Sequence, residues 1–209
     1  MKLIIFGATG GTGQQLVKQA LKQGHTVTAF TRNPHKMTYK HENLHLLQSD
    51  VLDYPSVEKA IQGQDTVLCS LGTPAMNKKQ LRAKGTRNII QAMEKTGVDR
   101  FICQSGLGCG DSYSLLPFRH KYIIFPLFLR HAYADHEIQE RQIRESQLDW
   151  TIVRPAALTN GKHTGSYWQG VNAPDKSLSI KISRADVADS MLKQITNNHY
   201  LHKAPSLSY

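Results

Sequence analysis

The residues Gly7-Ala8-Thr9-Gly10-Gly11-Thr12-Gly13 stand between an apolar run, Leu3 to Phe6, and a stretch of helical periodicity that opens at Thr12. Glycines in that position let the chain turn sharply, let backbone N–H groups approach a phosphate, and let the following helix pack closely on the strand before it. The start of the helix adds unpaired donors and the positive end of its dipole. Glycines also mark ordinary tight turns. This cluster, however, follows a strand and opens a helix within a strand–helix–strand unit, which predicts a dinucleotide site on Gly7, Thr9, Gly10, Gly11, Thr12 and Gly13.

Charge narrows the dinucleotide. A site for NAD usually places Asp or Glu at the end of the second strand, about twenty residues beyond the glycines. Here that strand ends Ala29-Phe30-Thr31-Arg32-Asn33, and no acidic residue occurs from Met1 to His41. A carboxylate would repel a 2′-phosphate, whereas the planar fork of Arg32 can grip it, with Thr31 and Lys36 as helpers. The expected cofactor is NADPH/NADP+; a solvated surface role is the alternative for Arg32. Asp50 and Val51 are expected near the adenine, and Leu71, Gly72 and Thr73, after Ser70, near the ribose and pyrophosphate, because ligands of open parallel sheets lie at the carboxyl ends of strands. An ordinary strand-to-helix turn is the alternative for both segments.

The elements that must position these groups follow from periodicity. Short apolar runs alternate with helical stretches: strands at Leu3–Phe6, Val27–Phe30, Leu44–Gln48, Thr66–Leu71, Arg100–Gln104 and Trp150–Arg154, with helices at Thr12–Gln23, from Asp53, at Lys79–Lys95, at Asp135–Ser146 and from Ser183 to Ile195. Asp53 is expected to cap the second helix and Ser183-Arg184-Ala185-Asp186 to form a capping box. Ser177 to Ser183 alternates as a half-exposed edge strand would. The predicted fold class is α/β: a Rossmann-like, doubly wound parallel sheet with helices on both faces, in a single domain spanning 1–209. Between Gly106 and Tyr133 no period is convincing, and so long an irregular stretch is usually functional.

Of the 209 residues 40% are hydrophobic and 20% charged, enough for one proper core. Lys and Arg total 26 against 16 Asp and Glu, a net charge of +10, so the preferred partner should be anionic. The N-terminal apolar run is too short for a signal peptide or a membrane span, which leaves cytoplasmic as the expected location and no integral membrane segment. Three cysteines without a CxxC pair indicate neither a disulfide framework nor a thiolate zinc site. His35, His41 and His45 read as loop residues, and no metal is expected. No basic stripe with interleaved stacking aromatics argues for nucleic acid.

The glycine loop, Ser70-Leu71-Gly72-Thr73, Cys103-Gln104-Ser105-Gly106, Asp135-His136, Arg144 to Trp150, Val153-Arg154-Pro155 and Ser183 to Asp189 occur in an order that runs through nearly the whole chain. In this the sequence resembles the atypical short-chain dehydrogenase/reductases, and within them the flavin reductase/biliverdin-IXβ reductase and NmrA-like group. The resemblance implies that Ser105 stands beside substrate and nicotinamide and that Pro155 and Ala156 lie along the nicotinamide. It also implies that His136 falls where the lysine of the Tyr-x-x-x-Lys motif would be, with Ala132 in place of the tyrosine. Tyr133 is one residue out of register, about 100° around a helix.

Ketone chemistry needs an acid near the oxygen, which that missing pair normally supplies. Flavins and linear tetrapyrroles accept hydride at a conjugated atom and can take the proton from solvent. The expected function is therefore an NADPH-dependent reductase of a small planar anionic acceptor of that kind, with Ser105 and His136 as polar guides. The alternative is a non-catalytic NmrA-like NADP(H) sensor or assembly factor. A satisfied helix histidine is the alternative for His136. Ser112 to Tyr133 contains no acid, and within it Phe118, Arg119 and Lys121 are expected to meet the substrate, a buried helix or a docking segment being the alternatives. Lys78, Lys79, Arg82, Lys84 and Arg87 read mostly as a solvated face, with phosphate contacts at the groove edge as the alternative for Lys78 and Arg82. A monomer is favoured.

Overall fold

The computed structural model describes residues 1–73, 79–119, 121–123, 129–172 and 179–209. Lys78, Ser177 and residues 124–128 of the irregular segment lie outside the described residues. Leu3, Ile4, Ile5 and Phe6 are all fully buried in β1 (Lys2–Phe6), a continuous apolar run rather than an alternating one. Such a run needs cover on both faces, as a parallel sheet flanked by helices provides. Leu3 and Ile5 face α1 (Gly11–Lys22) and α5 (Arg184–Lys193), packed with Leu16, Val17, Val187 and Met191. Ile4 and Phe6 face α2 (Tyr54–Ile61), α3 (Leu81–Thr96) and α4 (Arg130–Glu145), packed with Val57, Ile89 and Met93.

The remaining strands are β2 (Thr26–Thr31), β3 (Leu44–Gln48), β4 (Thr66–Cys69), β5 (Arg100–Gln104), β6 (Asp149–Pro155), β7 (Ala157–Thr159), β8 (Trp168–Gly170), β9 (Lys181–Ser183) and β10 (Ser206–Ser208). Among the described residues they form an eight-stranded sheet, β3-β2-β1-β4-β5-β6-β10-β8, and a small β7-β9 pair. All pairings in the large sheet are parallel except β8 against β10. The fold is thus the expected Rossmann-like α/β class. After β1 the chain moves outward through β2 to β3 and then returns to β4 on the other side, which opens a crevice above the ends of β1 and β4.

Several elements differ from expectation. Of the segment Ser177–Ser183 only residues 179–183 are described, and there β9 (Lys181–Ser183) pairs with β7 rather than along the main sheet. α4 starts at Arg130 rather than Asp135, so residues 130–134 of the segment that reads as irregular are helical, with only Ala132 among them buried. Gly110–Leu115 makes 3-10 turns inside the segment that reads as irregular. His45 lies in β3, not in a loop. Asp53 stands at the N-cap of α2 without capping it; its carboxylate accepts the Ser56 hydroxyl instead. Half of the expected capping box forms: Ser183 Oγ accepts the Asp186 N–H at 3.0 Å, but the Ser183 N–H donates to the Tyr209 hydroxyl (3.1 Å) rather than to Asp186.

Candidate functional site

A cleft of about 820 Å³ runs along the carboxyl ends of β1, β2, β4, β5 and β6. Gly7, at φ 78°, forms its floor so tightly that a Cβ there would lie 2.5 Å from the Ser70 carbonyl oxygen. A Cβ on Gly13 would lie 2.1 Å from Gly7 O, so this glycine sits behind the loop and lets α1 close on β1 rather than lining the cleft. Gly7, Thr9, Gly10, Gly11 and Thr12 do line it. No acidic residue occupies the first turn of α1, so the positive end of its dipole faces the cleft uncompensated.

At the β2 end the wall is Arg32, Asn33, Lys36, Ser49 and Val51. Arg32 is exposed, while Thr31 is fixed by hydrogen bonds with Thr9 Oγ1 (3.2 Å) and from the Asn33 N–H (3.1 Å). Asp50 does not line the cleft: its Oδ1 accepts the Leu52 N–H at 3.0 Å and closes the turn after β3. Val51 and Leu71 pack against Gly85 of α3. Leu71, Gly72 and Thr73 line the middle of the cleft.

Two residues here gave no functional signal in the sequence. Arg184, at the start of α5, reaches over Gly11 and donates to Asn160 Oδ1 at 2.6 Å. Asp135, on α4, supplies the cap that α3 lacks locally, accepting the N–H groups of Arg82 (3.1 Å) and Ala83 (2.9 Å). Arg82 is itself buried, held by Thr73 (3.0 Å to Oγ1) and Asp135 (3.3 Å). Among the described residues the cleft wall includes Arg32, Lys36, Arg82 and Arg184 and no Asp or Glu.

The far end brings together Ser105, Tyr133, His136, Pro155 and Ala156. Ser105, 3% exposed, donates to Glu140 Oε1 at 2.6 Å. Glu140 is gripped by both Arg154 Nη2 (2.6 Å) and Nε (2.9 Å), and Arg154 Nη1 reaches Asp111 at 2.6 Å. Burial acts to lower the Arg154 pKa, but the Glu140 and Asp111 carboxylates outweigh it and raise it. Tyr133 donates to the Leu107 carbonyl at 2.6 Å, and burial raises its pKa. His136 Nδ1 lies 3.0 Å from Gln139 Oε1. Burial first, and Arg82 second, lower the His136 pKa to about 4, so the ring is neutral near pH 7.

Pro155 O accepts from Leu107 N and Ala156 N donates to Leu207 O, both at 2.9 Å, which holds this wall to the turn after β5 and to β10. Phe118, Arg119 and Lys121 do not line the cleft. Phe118 is 73% exposed against Tyr122, and Lys121 Nζ donates to Ser114 O at 2.9 Å. Leu116 and Leu129, which bracket that segment, do line it. Among the described residues no group of His, Cys, Asp and Glu is arranged to hold a metal ion, and no helix is long and apolar enough to cross a membrane.

The glycine cradle, the bare helix start and the acid-free wall fit a dinucleotide phosphate. The comparisons agree. The Bacillus subtilis protein YwnB is 30% identical over 217 residues, covering 97% of this chain and 95% of that protein. The oxidoreductase ylbE of Lactococcus lactis superposes with a TM-score of 0.83 at 26% identity, over 99% of this chain and 90% of that one. ChuY, an anaerobillin reductase from Escherichia coli O157:H7, gives 0.81 at 25% identity, over 99% and 96%. The NAD(P)H-binding family model matches residues 7–198, and the chain belongs to that family of Rossmann-fold proteins.

Proposed function

We propose that the protein is an NADPH-dependent reductase that passes hydride to a flavin or a linear tetrapyrrole. One observation carries the reading: a single cleft, acid-free among the described residues, joins a cationic end at Arg32, Lys36 and Arg184 to an end where Ser105, Tyr133 and His136 meet. NADPH, when bound, supplies the hydride and its two electrons. The chain's own residues bind and orient. The glycine loop and the α1 start hold the pyrophosphate, Arg32 with Lys36 favours a third phosphate over a bare ribose, and Pro155 and Ala156 form the wall beside the nicotinamide. Ser105 and His136 orient the acceptor, and the accompanying proton comes from water, because the hydroxyl hydrogens of Ser105 and Tyr133 are already committed to Glu140 and Leu107.

The resemblance in fold to an anaerobillin reductase supports the tetrapyrrole side of this reading. The test is to follow nicotinamide absorbance with NADPH and FMN, FAD or biliverdin. Acceptor-dependent loss of NADPH is the expected result. Tight NADP+ binding without turnover of any acceptor would replace the reading with a non-catalytic sensor or assembly factor.

A further inference from the structure

We infer that the face around Phe118, Arg119, Tyr122 and Ile123 is a docking surface for an anionic lipid bilayer, which the protein binds peripherally beside the mouth of its cleft. The inference does not depend on the reductase reading.

Apolar side chains gather on this face in water. Beyond the 3-10 turns of Gly110–Leu115, the Lys121 N–H donates to Pro117 O at 3.1 Å, the spacing of a helical turn. Side chains four apart on such a turn share a face. Phe118 and Tyr122 do so, with ring centroids 4.6 Å apart, yet they are 73% and 63% exposed. Ile123, 47% exposed, follows Arg119 at the same spacing, and Arg119 is exposed as well. Tyr113 lies alongside: its hydroxyl donates to Lys121 O at 3.1 Å, while Lys121 Nζ donates to Ser114 O at 2.9 Å. These two bonds tie the turn to the 3-10 segment and hold the face in place. Among the described residues, half of the large apolar side chains left exposed fall between Tyr113 and Ile123. Such a concentration marks a contact surface.

Charge selects the occupant. From Ser112 to Ala134 the chain has no Asp or Glu and carries Arg119, Lys121 and Arg130. Asp111, just before it, is paired with Arg154 at 2.6 Å. Asp135, just after it, is buried against Arg82, and Glu137 is the first exposed acid on α4. Exposed aromatic rings with cations beside them suit the boundary between headgroups and acyl chains, where the rings are half solvated and each cation is drawn to the anionic surface. A second copy of this chain fits less well, because it would set one basic face against another on molecules that each carry +10. Leu116 and Leu129, which border the face, also line the cleft, so docking brings the cleft mouth to the bilayer.

Vesicle sedimentation of the whole protein tests this. Binding to phosphatidylcholine vesicles containing about 30% phosphatidylserine should be at least about tenfold tighter than to phosphatidylcholine alone. Phe118→Ala with Tyr122→Ala, and separately Arg119→Glu, should each weaken that binding about tenfold at an unchanged melting temperature. Lys22→Glu, in the last turn of α1 at the opposite end of the sheet, should change it less than about threefold. No vesicle binding, equal binding to the two vesicles, binding that survives the Phe118, Tyr122 and Arg119 changes, or equal losses from Arg119→Glu and Lys22→Glu overturns the inference. A concentration-dependent dimer that Phe118→Ala dissolves overturns it as well, in favour of a second copy on this face.

Discussion

Arg184 and Gly11 are in direct contact across the mouth of the cleft: a Cβ on Gly11 would come within 2.5 Å of Arg184 Cδ and 2.7 Å of its Nε. The glycine therefore does more than allow a turn. It makes room for a cation from α5 beside the start of α1, where the proposed site would hold the pyrophosphate. The contact is with the far part of a flexible side chain, so Gly11→Ala should fold normally, displace Arg184 and weaken NADPH binding about tenfold. Gly13→Ala should behave differently, because its methyl would meet backbone, Gly7 O at 2.1 Å and Ala8 Cα at 2.8 Å. It should cost about 3 kcal/mol or more of stability. Denaturant unfolding and NADPH titration of the two variants check both outcomes.

Arg32 is exposed on the cleft wall, with Lys36 nearby on the same wall. Its proposed partner is the third phosphate of NADPH. Arg32→Ala should lower NADPH affinity about tenfold or more and leave NADH binding nearly unchanged, since a hydrogen bond to a charged group contributes about 1.5–3 kcal/mol. Comparative titration of the two cofactors decides it, and equal losses for both would remove Arg32 from the site.

Arg154 and Glu140 are 1% and 4% exposed and paired at 2.6 Å. Glu140→Ala strands a buried guanidinium and should cost about 3–5 kcal/mol. Replacing both partners, Glu140→Leu with Arg154→Met, should recover most of that loss, because Asp111, whose side chain is 70% exposed, can return to water. Melting temperatures of the single and double variants test the ordering.

Stability should fall with acid in two separate windows. Burial and Arg82 hold the His136 pKa at about 4 against an ordinary 6.5. The unfolded chain binds that proton first, so stability declines as pH drops from about 6.5 to about 4. For Asp186 burial acts to raise the pKa, but donors from Tyr209, Gly165 and Thr164 overcome it and lower the value from 3.8 to about 2. Its contribution is complete above pH 3.8 and is lost as pH falls through about 2. His136→Gln should flatten the first decline and Asp186→Asn the second, in denaturant midpoints measured against pH.

What the sequence revealed and what it hid follow one physical division. β3 and β5 are legible to the residue, because a short apolar run between turn residues has few other readings. The glycine loop is legible for the same local reason. The first turn of α4 is not, since Ala132 is its only buried residue before Asp135 and one buried position shows no period. β10 is hidden because Ser206-Leu207-Ser208 looks like a polar tail, yet all three residues are buried against β6 and β8. Arg184 reads locally as part of a helix cap, and its contact with Gly11, 173 positions away in sequence, exists only in the fold. Glu140 and Arg154 likewise reveal their partnership with Ser105 only once α4 lies beside β5 and β6.

The central claim is hydride transfer from NADPH to a planar conjugated acceptor. Its most direct test uses NADPH carrying deuterium in place of the transferable hydrogen, with biliverdin as acceptor, and analyses the product by mass spectrometry. The account predicts that the reduced bilin gains one deuterium on carbon and forms more slowly than with ordinary NADPH. Bilin reduced without deuterium, or NADPH bound but left unoxidised, would contradict it.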